Sequence, residues 1–497
     1  MSVPSSDTAT PATTGHGVAH PEPKVDPASM RVIWLMLIAA FVAILNETTM
    51  GIAIPHLNRD LGLPPELGQW LTSAFMLTMA VVIPITGYLL ERFTTRQVFI
   101  TAMGVFSLGT LLCLVAQGFG FLLVGRVVQA CGTGVMMPLL MTTMMNVVPH
   151  QIRGRMMGRI GLVMSLAPAI GPTLAGAVLD AFNWRALFAI VLPIALIALV
   201  IGAKLMTNVG ETERIPLDVL SVVLSALAFG GIVFGLSQFG GGQAGPGGLS
   251  AGALGGIVLG GGLVFLAVFV LRQLSLQKAD DALLDLRVFR SKNFTLAVII
   301  MTIVALSMFG TLTLLPQVLQ NVIGIDALLT GLILLPGSVL MGILGPFMGR
   351  VYDARGPKTL LVPGSIMVSV CLFAYATLTQ NTPWELIMVI QTVLSVGLAM
   401  SFTPLFSASL GSLRKKLYSH GSAVLNTLQQ VAGAAGVAVL TVTYSGILHA
   451  GQADGLDVPT AGAPGARTAF LIAACISITS VVLSFFLRKP VEDDEEE

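Results

Sequence analysis

Fourteen runs of mostly apolar residues follow one another along this 497-residue chain. They lie near 32–54, 68–90, 97–117, 119–146, 155–179, 185–206, 217–239, 250–272, 293–318, 327–349, 359–379, 384–411, 419–446 and 467–487. A helix needs about 20 apolar residues to cross the hydrocarbon core of a bilayer, and an isolated apolar helix satisfies its own backbone there. The pattern predicts an all-α polytopic membrane protein with fourteen spans. Composition agrees: charged residues make up only 10% of the chain, against about 25% in soluble domains. That leaves too little polar surface to cover a soluble globule of this length.

An even number of spans puts both ends on one side. Of the 26 lysines and arginines, 22 fall in segments on that side and three opposite, with Arg126 inside a span. The positive-inside rule makes the basic side cytoplasmic. Residues 1–30, rich in Ser, Thr, Pro and Ala, read as a disordered cytoplasmic tail, and residues 490–497 as an acidic one. No signal peptide is expected, because the first apolar run begins late and is too long for one. The four cysteines stand singly in apolar runs, and the six histidines lie in the tail or near span ends. Neither pattern points to a metal site or a disulfide framework.

Three landmarks repeat in step. Gly87 is followed by Glu91 and Arg92 after span 2, and Gly349 by Asp353 and Arg355 after span 10, with the two glycines 262 residues apart. Pro55 and Pro316 are separated by 261 residues, and Gly158 and Gly421 by 263. The repeat predicts two six-helix bundles, residues 31–206 and 276–489, with two linking helices inserted at 207–275. Parallel repeats with a site at their interface near the midplane belong to secondary transporters.

Inside the first run stands one carboxylate, Glu47. An acid at membrane depth is costly and marks ion or substrate pathways. Glu47 is therefore the candidate proton carrier; the alternative is a structural acid held by Asn46, Thr48 or a neighbouring helix. Arg126 keeps its charge and must be partnered or solvated. Met136, Met137, Met141, Met144 and Met145 crowd the end of span 4. Methionines adapt to varied ligand shapes, although they also fill ordinary cores. The candidate cavity residues are Trp70, Phe75, Gln129 and Met137, with Gln317, Gln320, Asn426, Gln429 and Gln430 from the C-terminal bundle.

Taken together, the motifs resemble those of the fourteen-span drug:proton antiporters of the major facilitator superfamily, along nearly the whole chain. The segment from Leu45 to Pro55 is similar to the span 1 signature, and the loop after span 2 to the gating motif. Arg126, Gln129 and Gly132 follow the span 4 arginine pattern. Ala167 to Gly176 is similar to the span 5 antiporter motif, and Asn426 to Gly433 follows in span 13.

The resemblance implies that Arg126 approaches span 1 and pairs with Glu47 or with carbonyls near Asn46, which joins the three as a proton-coupling group. The alternative is a structural clamp between spans 4 and 1. It also implies a bend at Pro168, Gly171, Pro172 and Gly176, and gates at Gly87, Glu91, Arg92, Gly349, Asp353 and Arg355. The chain departs from the family pattern at three places. Asn46 stands where the span 1 aspartate is usual, Glu91 replaces another aspartate, and Thr94 and Thr95 replace glycine and a basic residue. One residue turns about 100° around a helix, so Glu47 need not take the family's direction.

The expected function is proton-coupled efflux of amphipathic, often cationic compounds by alternating access in a bacterial inner membrane. Alternatives are a transporter of one metabolite, lipid or antibiotic, and a membrane sensor or scaffold. No phosphate-binding loop or nucleophile–base pair argues for an enzyme or an ATP-driven pump. No cofactor is expected, because the proton gradient supplies the drive. The expected partners are small amphipathic molecules, protons and the bilayer, not nucleic acid. The short outer loops leave a periplasmic adaptor undecided.

Overall fold

The computed structural model describes residues 26–62, 65–209, 218–239 and 250–489. The expected tail segments before residue 26 and from residue 490 lie outside the described residues. Within the described residues the chain forms fourteen α-helices and no strand. The first six are α1 (Pro27–Asp60), α2 (Pro65–Arg92), α3 (Thr95–Leu114), α4 (Phe119–Val147), α5 (Arg153–Ala181) and α6 (Arg185–Leu205). Two more follow, α7 (Val219–Phe239) and α8 (Ala251–Leu276). The last six are α9 (Lys292–Val318), α10 (Ala327–Arg355), α11 (Lys358–Tyr375), α12 (Trp384–Gly411), α13 (Tyr418–Ala453) and α14 (Val458–Ser484).

Counting the described residues alone, thirteen of these helices are long and apolar enough to cross a membrane. The first turns of α5 carry Arg153, Arg155 and Arg159, and its middle is rich in glycine and proline. It packs between α1 and α10.

Local chemistry sets the helix ends. Asp26 caps α1, accepting from the N–H of Ala28 at 3.1 Å and of Ser29 at 3.2 Å, with Pro27 at the first helical position. Residues 27–30, read from sequence as tail, are consequently helical. Thr94 and Gln97 form a capping box for α3, each side chain accepting from the other's backbone N–H. A threonine that departs from the family's loop pattern thus serves as a helix cap. After α10, Gly356 takes a positive φ of 79°, a left-handed conformation that glycine adopts without steric penalty.

Packing partners recur at an offset of eight helices. In the first set α1 packs on α4, α5 and α6, as α9 packs on α12, α13 and α14. Likewise α3 packs on α4 and α6, and α11 on α12 and α14. Between the sets, α2 meets α13 and α5 meets α10.

The inserted pair, α7 and α8, is a hairpin held by glycine. A Cβ on Gly235 would lie 2.7 Å from the Leu259 nitrogen, and one on Gly262 2.8 Å from the Ile232 nitrogen. Close backbone approach of this kind replaces the hydrophobic driving force that lipid surroundings remove. On its outer face α8 exposes Ile257, Val264 and Leu271.

At the base of the hairpin, Arg272 forks onto Asp218 with N···O distances of 2.7 and 2.8 Å. Gln273 donates to the Ser221 hydroxyl at 2.7 Å and accepts from the Leu284 N–H at 3.2 Å. The hydrogen bonds from Arg272 hold the Asp218 carboxyl down to about 2. The unfolded value is about 3.9, so this contact stabilises fully above that pH. It is lost as the pH falls through the folded value. Asp218→Asn is therefore expected to lower the melting temperature at neutral pH, with the gap to the intact protein closing in strong acid. A gap that stays constant with pH would contradict this linkage.

Candidate functional site

At one end of the bundle α5 and α10 cross with their backbones touching. A Cβ on Gly345 would lie 2.5 Å from the Gly158 carbonyl oxygen, and side chains on Gly158 or Gly349 would collide with the facing backbone. One turn past Gly349, Asp353 converts the crossing into a cap. Its Oδ1 accepts from the Gly154 N–H at 2.7 Å and its Oδ2 from the Arg155 N–H at 2.8 Å. The N-cap residue of α5, Ile152, makes no side-chain capping bond. A carboxylate there satisfies free N–H groups and complements the helix dipole. Lys489 donates to the Asp353 carbonyl at 2.8 Å.

The equivalent place between α2 and α13 is built differently. Glu91 lies 2.8 Å from Nε2 of His420, in the first turn of α13. A Cβ on Gly87 would lie 3.0 Å from His420 Nδ1. Deeper in, the Thr142 and Ser422 hydroxyls share a hydrogen bond of 2.7 Å across the two helix sets. Gly87, Glu91, Gly349 and Asp353 thus all meet the opposite set. Arg92 is half-buried and Arg355 is exposed, outside these described contacts.

Between the two sets lies a cavity of about 300 Å³, walled by α1, α2, α4, α5, α9, α10, α12 and α13. Its lining is apolar and soft, with nine methionines and the rings of Phe309, Phe402 and Phe406. Four amide side chains interrupt it: Gln391, Asn426, Gln429 and Gln430. Among the described residues, Glu47 is the one ionisable side chain on the wall. A cation entering such a space would meet one opposite charge and many polarizable contacts.

Several sequence candidates share this wall: Glu47, Met137, Pro168, Asn426, Gln429 and Gln430. Others do not. Trp70 packs its ring 5.6 Å from Phe234 on α7. Phe75 and Gln129 are buried beside Arg126. Gln317 is half-buried near the end of α9, and Gln320 is exposed in the π-turn Leu319–Ile323 that follows it. Met144 and Met145 belong to the packed core. Apolar runs locate spans along the chain but leave their rotation open, and these residues point away from the cavity. Sequence reasoning missed Met76 with Met79, Phe402 with Phe406, and Gln391. The first two pairs carried a usable signal, being spaced three and four apart on one helix face.

Arg126 is fully buried. Its Nη1 donates to Asn46 Oδ1 at 3.0 Å and Gln129 Oε1 at 2.7 Å, and its Nε to the Leu71 carbonyl at 3.4 Å. The guanidinium lies 4.0 Å over the Phe75 ring. Gln129 is fixed in turn, its Nε2 donating to Thr110 at 2.8 Å. Asn46 is only 2% exposed and turned to Arg126, whereas Glu47, one residue on, faces the cavity. The helical rotation of about 100° per residue accounts for the split. Arg126→Leu would strand the Asn46 and Gln129 oxygens, each at about 1–3 kcal/mol. We expect a clearly lowered melting temperature in detergent, partly restored in Arg126→Lys; an unchanged temperature would contradict a clamping role.

The glycine and proline cluster of α5 separates into parts. Gly171 lies against Thr48, and any Cβ there would strike the Thr48 hydroxyl. Gly176 has open space where a Cβ would go. Pro168 lines the cavity, and the side chain of Pro172 lies outside the described residues. The helix runs unbroken from Arg153 to Ala181. Gly171 therefore brings α5 against the turn of α1 that carries Glu47.

Two repeated six-helix sets around a central cavity describe a solute transporter. Residues 36–437 match the Major Facilitator Superfamily, and the chain belongs to that family. It is 40% identical over 466 residues to an uncharacterized MFS-type transporter, YcnB, of Bacillus subtilis, covering 94% of this chain and 96% of that one. It is 38% identical over 467 residues to the lincomycin resistance protein LmrB of Listeria monocytogenes, covering 92% and 96%. Its fold is like that of the human organic anion transporter MFSD10, with a TM-score of 0.61 at 14% identity over 92% of this chain and 100% of that one. The protein is a multi-pass membrane transporter and not an enzyme.

Proposed function

We propose that this transporter exports amphipathic cations in exchange for protons, with Glu47 as the site both compete for. The observation that carries the reading is the one ionisable side chain, among the described residues, on a largely apolar, methionine-rich wall. One carboxylate that holds either a proton or a monovalent cation gives electroneutral one-for-one exchange. The residues of Arg126, Asn46 and Gln129 brace α1 behind it. In this reading all fourteen helices cross a bacterial cytoplasmic membrane, with both ends in the cytoplasm, and no cofactor takes part. The segments 31–206 and 276–489 rock about the cavity, and the Asp353 and Glu91 contacts latch the cytoplasmic end while the cavity faces outward.

A second reading, transport of one particular antibiotic, is favoured by the four amides on the wall, which suit an oriented solute better than a greasy one. A relative's name, lincomycin resistance protein, supplies the compound to try. Proteoliposomes with an acidic interior separate these readings. Uptake of both tetraphenylphosphonium and lincomycin, collapsed by a protonophore, is the expected result. Uptake of lincomycin alone would favour the second reading, and uptake indifferent to the pH gradient would contradict proton coupling.

A further inference from the structure

One amide on the cavity wall is held differently from the rest. Gln391 of α12 lines the cavity, and its Oε1 accepts from the Tyr375 hydroxyl at 2.6 Å. Tyr375 is itself 1% exposed, at the end of α11, with its ring 5.2 Å from that of Phe470 on α14. The tyrosine is therefore held by its packing, and its hydroxyl fixes the amide. Gly337 lets α10 close on the same turn of α12, since a Cβ there would lie 3.1 Å from the Gln391 carbonyl oxygen. With one lone pair of Oε1 taken by the tyrosine, the Nε2 amide, a donor with two hydrogens, is the half of Gln391 that keeps its full capacity. Asn426 is held in the opposite sense. Its Nδ2 donates to the Ser422 carbonyl at 2.8 Å, which leaves its Oδ1 to accept.

We propose that Gln391, positioned by Tyr375, is a specificity-determining donor that selects substrates carrying a hydrogen-bond acceptor as well as a positive charge. The inference rests on the reading of the cavity as a cation site. Glu47 on α1 takes the charge, and Gln391 on α12, in the other helix set, takes a carbonyl, ether or hydroxyl oxygen. A cation lacking such an oxygen binds through charge and methionine contacts alone. Because the donor is held in advance, little side-chain freedom is lost when the acceptor arrives. Tyr375 never touches the substrate and acts only through Gln391.

The test is equilibrium binding to the full-length protein in lipid nanodiscs with two matched probes. Tetraphenylphosphonium has no acceptor, and its (4-acetylphenyl)triphenylphosphonium analogue has one carbonyl. Gln391→Leu is expected to weaken the acetyl probe by about 3- to 10-fold, the range of one hydrogen bond. Tetraphenylphosphonium should shift by less than about twofold, as no hydrogen bond to it is lost. Tyr375→Phe should produce a smaller loss, again for the acetyl probe only. The double variant, which strands no buried hydroxyl, should match Gln391→Leu rather than add to it. Equal losses for both probes would mean a merely structural role and would overturn the proposal, as would no loss for either. Binding of neither probe to the intact protein would overturn the cation reading itself, and this proposal with it.

Discussion

Glu47→Gln will abolish accumulation driven by a pH gradient and leave cation binding measurable. Glutamine keeps the size and hydrogen-bonding capacity of the side chain but can neither release a proton nor carry charge. The cavity has no second ionisable group among the described residues to take over, so coupling has no alternative path along its wall. Binding should weaken by about tenfold. A unit charge pair near 4 Å is worth up to about 4 kcal/mol at an intermediate dielectric, and desolvation offsets much of that. Exchange of labelled cation for unlabelled cation, with no gradient, should survive, since it needs rocking but no proton. A variant that still concentrates cation against a pH gradient would place the proton elsewhere.

Disrupting the α5–α10 crossing should have the next largest effect, on conformation rather than on coupling. Asp353→Ala removes two charge-assisted hydrogen bonds from the first turn of α5. Loss of such a cap costs about 1–2 kcal/mol, enough to move a two-state equilibrium by about 5- to 30-fold. Gly158→Leu acts through sterics, because its side chain would enter the backbone of Gly345 and Pro346. Spin labels at Gln97→Cys and Lys358→Cys, both exposed near this end, would report the change in a background with the four native cysteines replaced. Each variant should broaden the distance distribution toward longer values. An unaltered distribution in both would mean that the crossing is structural padding and not a latch.

How far the sequence disclosed this arrangement depends on what each residue's neighbours encode. The spans and their repeat were legible because they follow from composition and spacing over hundreds of residues. The departure at Asn46 and Glu47 was legible too, since helical rotation alone separates adjacent side chains, and the structure places them on different sides of α1. The rotation of α4 and the end of α9 was not. Gln129 and Gln320 look alike in sequence, yet one is locked beneath Arg126 and the other is exposed in a π-turn. The resemblance marks Asp353 as a gate but not its partners, two backbone N–H groups that no side-chain pattern reveals. The Glu91 contact was hidden for the opposite reason. Its partner His420 lies more than three hundred residues away in the chain and appeared as an ordinary histidine near a span end.

The central claim is that one carboxylate holds either a proton or the transported cation. Its most direct test is proton release on binding, read with a pH indicator as tetraphenylphosphonium is added to the purified protein in weak buffer near neutral pH. The account predicts proton release by the intact protein, never more than one per cation bound and approaching one as the starting pH is lowered, and none by Glu47→Gln. Stoichiometric binding to the intact protein without proton release, or release that persists in the variant, would contradict it.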